Sequence, residues 1–362
     1  MPSTAEIIDL QGNRGLLRSW WTAKKTQFAG IDIGVRSVRM ATLATDPSNA
    51  GAQQTSSLAW VNKHEFALPI NPTNAAPQDW VQRVVATLQE HMPRCVESGE
   101  YPTCISLPSA WVHYQIASLS EIEAVGRQCD AMFQSSLFKS KSHLATWPLE
   151  VLSSSKQQQV MIVATATDAA FDIAEVIRRQ GYNVRAIMPR AHALSQAAKA
   201  LTNLDSGCIV RLQSNGGLVT INRNGECGIS RVLPSLPKSE LEDLLTNQLT
   251  LDSLFGWLSK VAQEVNSTIR YAQRSSNSVI ADDSPILLCG ELASIPGIAK
   301  SFASLLQRPT ALWTLMGWER PSMPDSLPTE NAESKSEAFF DEPEFASALS
   351  LAFAAKRMKE TK

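Results

Sequence analysis

The sequence has no excess of charge of either sign: 33 basic residues stand against 35 acidic ones, a formal net charge of −2. Such a chain has no basic field to gather phosphate backbones, so nucleic acid is not expected as its main partner. Cysteine is scarce and scattered. Cys95, Cys104, Cys129, Cys208, Cys227 and Cys289 form no C-x-x-C pair, and the five histidines are equally dispersed. Neither a disulfide framework nor a zinc site is expected, and a reducing cytoplasm suits these thiols. Long apolar runs are missing too. None approaches the ~18 residues that span a bilayer. The first residues, with Glu6 and Asp9 among them, lack the basic start and apolar centre of a signal peptide. The chain is therefore expected in the cytoplasm, without a membrane span, and any membrane association is expected to be peripheral. No G-x-x-x-x-G-K-[ST] loop and no G-x-S-x-G elbow occurs, which removes the common P-loop and α/β-hydrolase readings.

What is there is a chain of 362 residues, 44% of them hydrophobic, long enough for two domains or one large two-lobed one. Its most informative stretch is Phe28 to Leu43, FAGIDIGVRSVRMATL. It reads as an apolar strand, a tight turn and a second strand rich in branched residues. Gly34 lets a backbone approach a ligand closely and can take a positive φ. The hairpin tip then offers backbone N–H groups, the Ser37 hydroxyl and the Arg36 and Arg39 cations, a set that can cradle a phosphate while Asp32 holds Mg²⁺. By itself, a D-x-G before a strand reads first as an ordinary hairpin with a glycine turn.

The rest divides by composition and periodicity. Residues 1–27 form a polar tail in which Leu16, Leu17, Trp20 and Trp21 fall on one helical face, and 46–57 reads as a loop. Leu58 to Leu68 reads as a strand, Gln78 to Met92 as an amphipathic helix and Thr103 to Leu107 as a strand, closing a first lobe over 28–108. From 109 to 190 the pattern is strand, helix (introduced by a Ser120–Glu123 capping box), strand Val160 to Ala164, helix capped by Asp168, and strand Asn183 to Ile187. That alternation suggests an inserted subdomain. Residues 191–316 begin with a helix and a three-strand meander whose second turn is Asn224-Gly225, a strong hairpin signal. A long helix, Ser253 to Arg274, the buried strand Pro285 to Cys289 and a helix, Ile298 to Leu306, follow, with Ala311 to Leu315 read as a last strand. A Pro-, Ser- and Glu-rich linker spans 317–343, and a closing helix over 344–362 carries an apolar stripe that suits packing on the first lobe.

In this order the parts resemble the actin-like ATPases and, among them, the PilM-type pilus assembly proteins, relatives of the division protein FtsA. The resemblance is carried by GIDIGVRSVRMATL, by SLPSAWVHYQIASL, by VMIVATATDAAFDIAEVIRRQGYNVRAIMPRAHALSQA, by ILLCGELASIPGIAKSFASLLQRPTALWTL and by FASALSLAFAAKRM. It implies an α/β protein with a two-lobed actin-like (ribonuclease H-like) fold and an inserted α/β subdomain. In that fold nucleotide sits between the lobes, with ATP and Mg²⁺ as the implied cofactors. The resemblance puts Asp32, Gly34 and Ser37 at the first phosphate hairpin, with Asp32 as the metal ligand. Arg39 stands where the family often has lysine.

Two other elements depart from the family pattern. The acid of the second hairpin is replaced by Arg211 in RLQSNGG, and an arginine cannot ligate a metal. The adenosine loop keeps Gly290 but continues with Glu291, whose carboxylate would repel a phosphate. No catalytic residue is therefore assigned, and weak or absent ATP hydrolysis is expected. Arg211 is left with two readings: a phosphate partner, or a strand residue whose head reaches solvent. The resemblance implies a scaffold at the inner-membrane platform of a type IV pilus. It would bind the cytoplasmic tail of a PilN-like membrane protein in a groove beside Ser106 to Ser118, with contacts to a PilO-like platform and a motor ATPase, and with homo-oligomers left open. The rival is an active actin-like or sugar-kinase-like enzyme, for which Asp205 would have to supply the missing acid.

Overall fold

The computed structural model describes residues 27–45, 58–68, 77–95, 101–135, 140–154, 157–202, 206–246, 248–275, 280–313 and 343–360. The expected N-terminal tail up to residue 26, the loop 46–57, Asp205 and the linker up to residue 342 lie outside the described residues.

Strands β1 (Gln27–Ile33), β2 (Ser37–Thr45) and β3 (Leu58–Ala67) make an antiparallel meander, and α1 (Pro77–His91) leads to β4 (Pro102–Ser106), parallel to β1. Next come β5 (Val112–Ser118), α2 (Ile122–Ser135), β6 (Ser142–Ser154), β7 (Gln157–Ala166), α3 (Thr167–Arg179), β8 (Asn183–Ile187) and α4 (Arg190–Thr202). The second half runs β9 (Ser206–Arg211), β10 (Leu218–Arg223), β11 (Glu226–Val232), α5 (Lys238–Leu245), α6 (Leu251–Ser275), β12 (Ile286–Cys289), α7 (Ile298–Leu306), β13 (Thr310–Leu312) and α8 (Ala346–Glu360).

Two five-stranded sheets share one plan. Their orders are β3-β2-β1-β4-β8 and β11-β10-β9-β12-β13, in each case an antiparallel meander extended by two parallel strands. Parallel additions bury both faces of a sheet and need helices on each side. The outer face of the first sheet packs Ile31, Ile33 and Ile105 against Trp80, Val84 and Leu88 of α1. The outer face of the second packs Cys208, Val210 and Leu288 against Leu254, Leu258 and Val261 of α6. Between the inner faces lie α4 and α8, where Ala41 and Leu43 of the first sheet and Ile209 and Leu287 of the second share a core with Leu194, Leu349 and Phe353.

The inserted block is a three-stranded antiparallel sheet, β5-β7-β6, backed by α2. Its Ile162, Ala164, Val125 and Phe133 belong to the same core as β1 and α1, so it is fused to the first lobe. Four expectations need correction here. Asn183 to Ile187 was expected inside the block but pairs with β4 as an edge of the first sheet. β6 was not expected at all; it lies on the edge of its sheet, where its Pro148 is tolerated. The capping carboxylate is Glu121, which accepts from the Ser118 N–H and hydroxyl at 2.8 and 2.7 Å, two residues before the expected pair. Asp168 likewise sits in the first turn of α3 rather than at its cap, where its charge suits the helix dipole.

Gly30 sets how closely α8 approaches β1. A Cβ there would lie 1.9 Å from the Ala348 carbonyl oxygen and 2.4 Å from the Ala352 nitrogen. Gly30→Val is expected to push α8 off the sheet at a cost of about 1–3 kcal/mol or more, read as a lower urea midpoint. His192 on α4 is buried, and burial, aided by the nearby Arg357 charge, pushes its pKa down to about 4. The unfolded chain, with a pKa near 6.5, binds the proton first as pH falls. Stability is therefore expected to decline between about pH 6.5 and 4 by roughly 3 kcal/mol, and His192→Gln should flatten that slope in urea titrations at several pH values.

Candidate functional site

At one end of the layer formed by α4 and α8, the last residues of β1 and β9 meet. Strand alternation turns Ile31 and Ile33 to the outer core and leaves Asp32 on the inner face. The register sets Arg39 of β2 and Ser106 of β4 on either side of Asp32. On β9 the same alternation turns Val210 outward and Arg211 inward.

Asp32 is 2% exposed and both of its oxygens are engaged. Ser106 Oγ donates to Oδ1 at 2.6 Å, Arg190 Nε donates to the same oxygen, and Arg211 Nη2 donates to Oδ2 at 2.8 Å. The second nitrogens of both guanidiniums are occupied as well: Arg190 Nη2 by the Ile33 carbonyl and Arg211 Nη1 by Gln213 Oε1. Burial pushes the Asp32 carboxyl up, but Arg190, Arg211 and Ser106 together hold it well below the usual carboxylate range. Burial lowers Arg211 to about 10 against the pull of Asp32, so it keeps its charge at neutral pH.

The other expected residues lie around this centre with different partners. Arg39 is buried and pairs with Glu65 on β3 at 2.8 Å. Gly34 donates its N–H to the Ser37 carbonyl at 2.9 Å, so that donor is spent on closing the hairpin. Gly34 is not among the positive-φ glycines; its lack of a Cβ serves a close approach, since one would lie 2.9 Å from the Ser37 carbonyl oxygen. Gly290 does take a positive φ of 100°, and a Cβ there would lie 2.4 Å from the Leu212 carbonyl oxygen. Its N–H donates to the Pro343 carbonyl at 2.9 Å. Arg211 is buried, so its head does not reach solvent. A second bridge joins the lobes nearer the surface: Arg36 Nη1 reaches Glu291 at 3.5 Å and Ser214 Oγ at 3.4 Å, and Ser214 Oγ donates to Glu291 at 3.1 Å.

This arrangement suits Mg²⁺ poorly. A carboxylate ligates a metal through free lone pairs, and those of Asp32 face two cations and a hydroxyl. Among the described residues, no three His, Cys, Asp or Glu side chains converge as a metal site. Sequence reasoning missed Arg190 and Ser106. Arg190 did leave a trace, because a cation in the first turn of a helix opposes the dipole and calls for an anionic partner.

A separate apolar groove of about 290 Å³ opens between the inserted sheet, α3 and β8, lined in part by Val112, Trp147, Phe171, Ala174 and Ile187. Phe171 is 58% exposed in it. Among the described residues, β8 has a strand neighbour on one side only.

Asp32→Asn is expected to leave two buried guanidiniums without a counter-charge and to cost about 3–5 kcal/mol in urea unfolding at pH 7. The wild-type contribution is present above about pH 3.8 and fades as pH falls further, because the folded pKa is the lower one. A variant as stable as wild type at pH 7 would contradict this account.

No protein-family model and no curated protein matches the chain. Among solved structures it is similar to a chain of a PilM–PilN type IV pilus biogenesis complex, with a TM-score of 0.61 and 17% identity over 91% of this chain and 98% of that one. It also aligns with the ethanolamine utilization protein EutJ from Carboxydothermus hydrogenoformans (TM-score 0.47, 10% identity, 90% and 89% covered). A third likeness is the cytoplasmic domain of EpsL, an inner-membrane component of the type II secretion system of Vibrio cholerae (0.40, 7%, 92% and 95%). The chain thus has the architecture found in the PilM–PilN structure, a two-lobed actin-like α/β fold with an inserted α/β subdomain.

Proposed function

We propose that this chain is a cytoplasmic scaffold of a type IV pilus assembly platform, peripheral at the inner membrane, with weak or no ATP hydrolysis. The observation that carries the reading is the Asp32 carboxylate held between Arg190 and Arg211. In the actin-like ATPases that the sequence resembles, the corresponding acids are expected to bind Mg²⁺ or orient water. Here one of them is a cation, and the remaining acid neutralises it across the lobes. Phosphoryl transfer depends on a bound metal and a positioned nucleophile, and among the described residues no group at Asp32 is left free to hold the metal. We read the protein as a pseudo-ATPase whose cleft is held by ion pairs. An active ATPase or sugar-kinase-like enzyme would need a free acid at the second hairpin, where Arg211 stands.

The partner reading rests on the full-length likeness to the PilM–PilN structure and on the apolar groove. An extended tail of a PilN-like protein can add to the open edge of β8 and lodge apolar side chains against Val112, Trp147 and Phe171. Tethering through that partner agrees with the absence, among the described residues, of a helix long and apolar enough to cross a membrane. Contacts with a PilO-like platform or a motor ATPase would use other surfaces.

Two titrations test the reading. Mg-ATP added to the protein is expected to give no binding heat up to millimolar concentration; binding that disappears in Asp32→Ala would overturn the pseudo-ATPase reading. A synthetic peptide of the partner's cytoplasmic tail is expected to bind the wild type and to lose about tenfold or more in affinity to Phe171→Asp. Equal binding to both proteins would move the partner site elsewhere.

A further inference from the structure

The second lobe carries a cationic cavity that the scaffold reading does not use. Arg231 on the edge strand β11 and Arg270 and Arg274 on α6 converge on a hollow of about 590 Å³. None of the three makes an ion pair with a carboxylate among the described residues, and no acid lines the hollow. Arg274 lies in the last turn of α6, where a cation suits the helix dipole. Arg270, one turn earlier, gains little from the dipole and is repelled by Arg274 at the i, i+4 spacing. Arg231 comes from a different element, so three like charges are brought together by tertiary packing in a chain whose net charge is only −2.

The other lining groups are hydrogen-bond donors and one ring. Gln263, Asn266 and Ser267 lie on the same stripe of α6, Ser267 and Asn266 three and four residues before Arg270 and Gln263 a further turn back. Tyr271 is 52% exposed, with the Arg231 guanidinium 5.0 Å from its ring centroid. That stacking holds the Arg231 fork in place and lowers the entropy lost when the fork binds an anion. Guanidiniums match the oxygens of phosphate bidentately, and convergent ones favour charge concentrated on one centre over charge spread along a peptide. The volume lies within the range of small-molecule sites.

We propose that this cavity binds a phosphate ester carrying two or more negative charges, either free in solution or as the headgroup of an anionic lipid. The test uses the full-length protein, inorganic pyrophosphate as the soluble probe, and phosphatidylcholine vesicles with and without phosphatidic acid. Pyrophosphate is expected to bind in titration calorimetry, more weakly as salt rises. Arg231→Gln/Arg270→Gln, with both changes on exposed or half-buried side chains, should weaken it about tenfold or more while the circular dichroism spectrum and urea midpoint stay near wild type. Vesicle binding that depends on phosphatidic acid and is displaced by pyrophosphate would assign the site to a headgroup. Pyrophosphate binding without vesicle binding would assign it to a soluble ester. The proposal is overturned if neither probe binds, if the double variant binds like wild type, or if an oligoglutamate peptide binds the cavity while pyrophosphate does not, which would make it a dock for an acidic protein segment.

Discussion

A carboxylate buried between two guanidiniums ties the two lobes together. Asp32 comes from the first strand of one sheet, Arg211 from the first strand of the other, and Arg190 from the helix that connects them. Removing three charged groups from water is expensive, and the arrangement is tolerable because nearly every donor and acceptor in it has a partner. It constrains the lobes to a narrow range of relative positions, since a small separation would leave charges buried and unpaired. An internal ion pair of this kind favours one relative placement of the two sheets.

The two sheets show why an acid and a base meet here. Each begins with a meander and adds two parallel strands in the same order, so the ends of β1 and β9 are equivalent places in two copies of one plan. Asp32 pairs in parallel register with the last residue of β4, and Arg211 pairs in parallel register with the last residue of β12. An acid at both places would create a cation site between the lobes. One acid and one base instead form a salt bridge. Arg211 at this place gives the cleft a buried cation beside Asp32.

The inserted sheet shares the core of the first lobe and reaches the second through the Tyr114 hydroxyl, which donates to the Cys227 carbonyl at 2.9 Å. Between that sheet and β8 lies an apolar groove with a strand edge on its rim. On the far edge of the second sheet lies a cavity lined by three arginines that make no ion pair among the described residues. Both are set by strands and helices of the described residues, and neither is part of the Asp32 cleft.

Much of this was legible in the residues. Apolar periodicity marked α1, α6 and the closing helix; Asn224-Gly225 marked the β10–β11 hairpin, and Arg211 announced itself as a cation in an acid's place. The chain's pattern fixed which residues face inward, because strand alternation and helical spacing are local. It could not tell that Asn183 to Ile187 joins the first sheet, that Pro148 sits in an edge strand, or that Gly30 exists to admit α8. Those are facts about neighbours distant in sequence. The fate of Asp32 belongs with them: its type and strand position follow from local pattern, but its pairing with Arg190 and Arg211, 158 and 179 residues away, was decided by the folding of two lobes against each other, since only there do three charges share a site from which water is excluded.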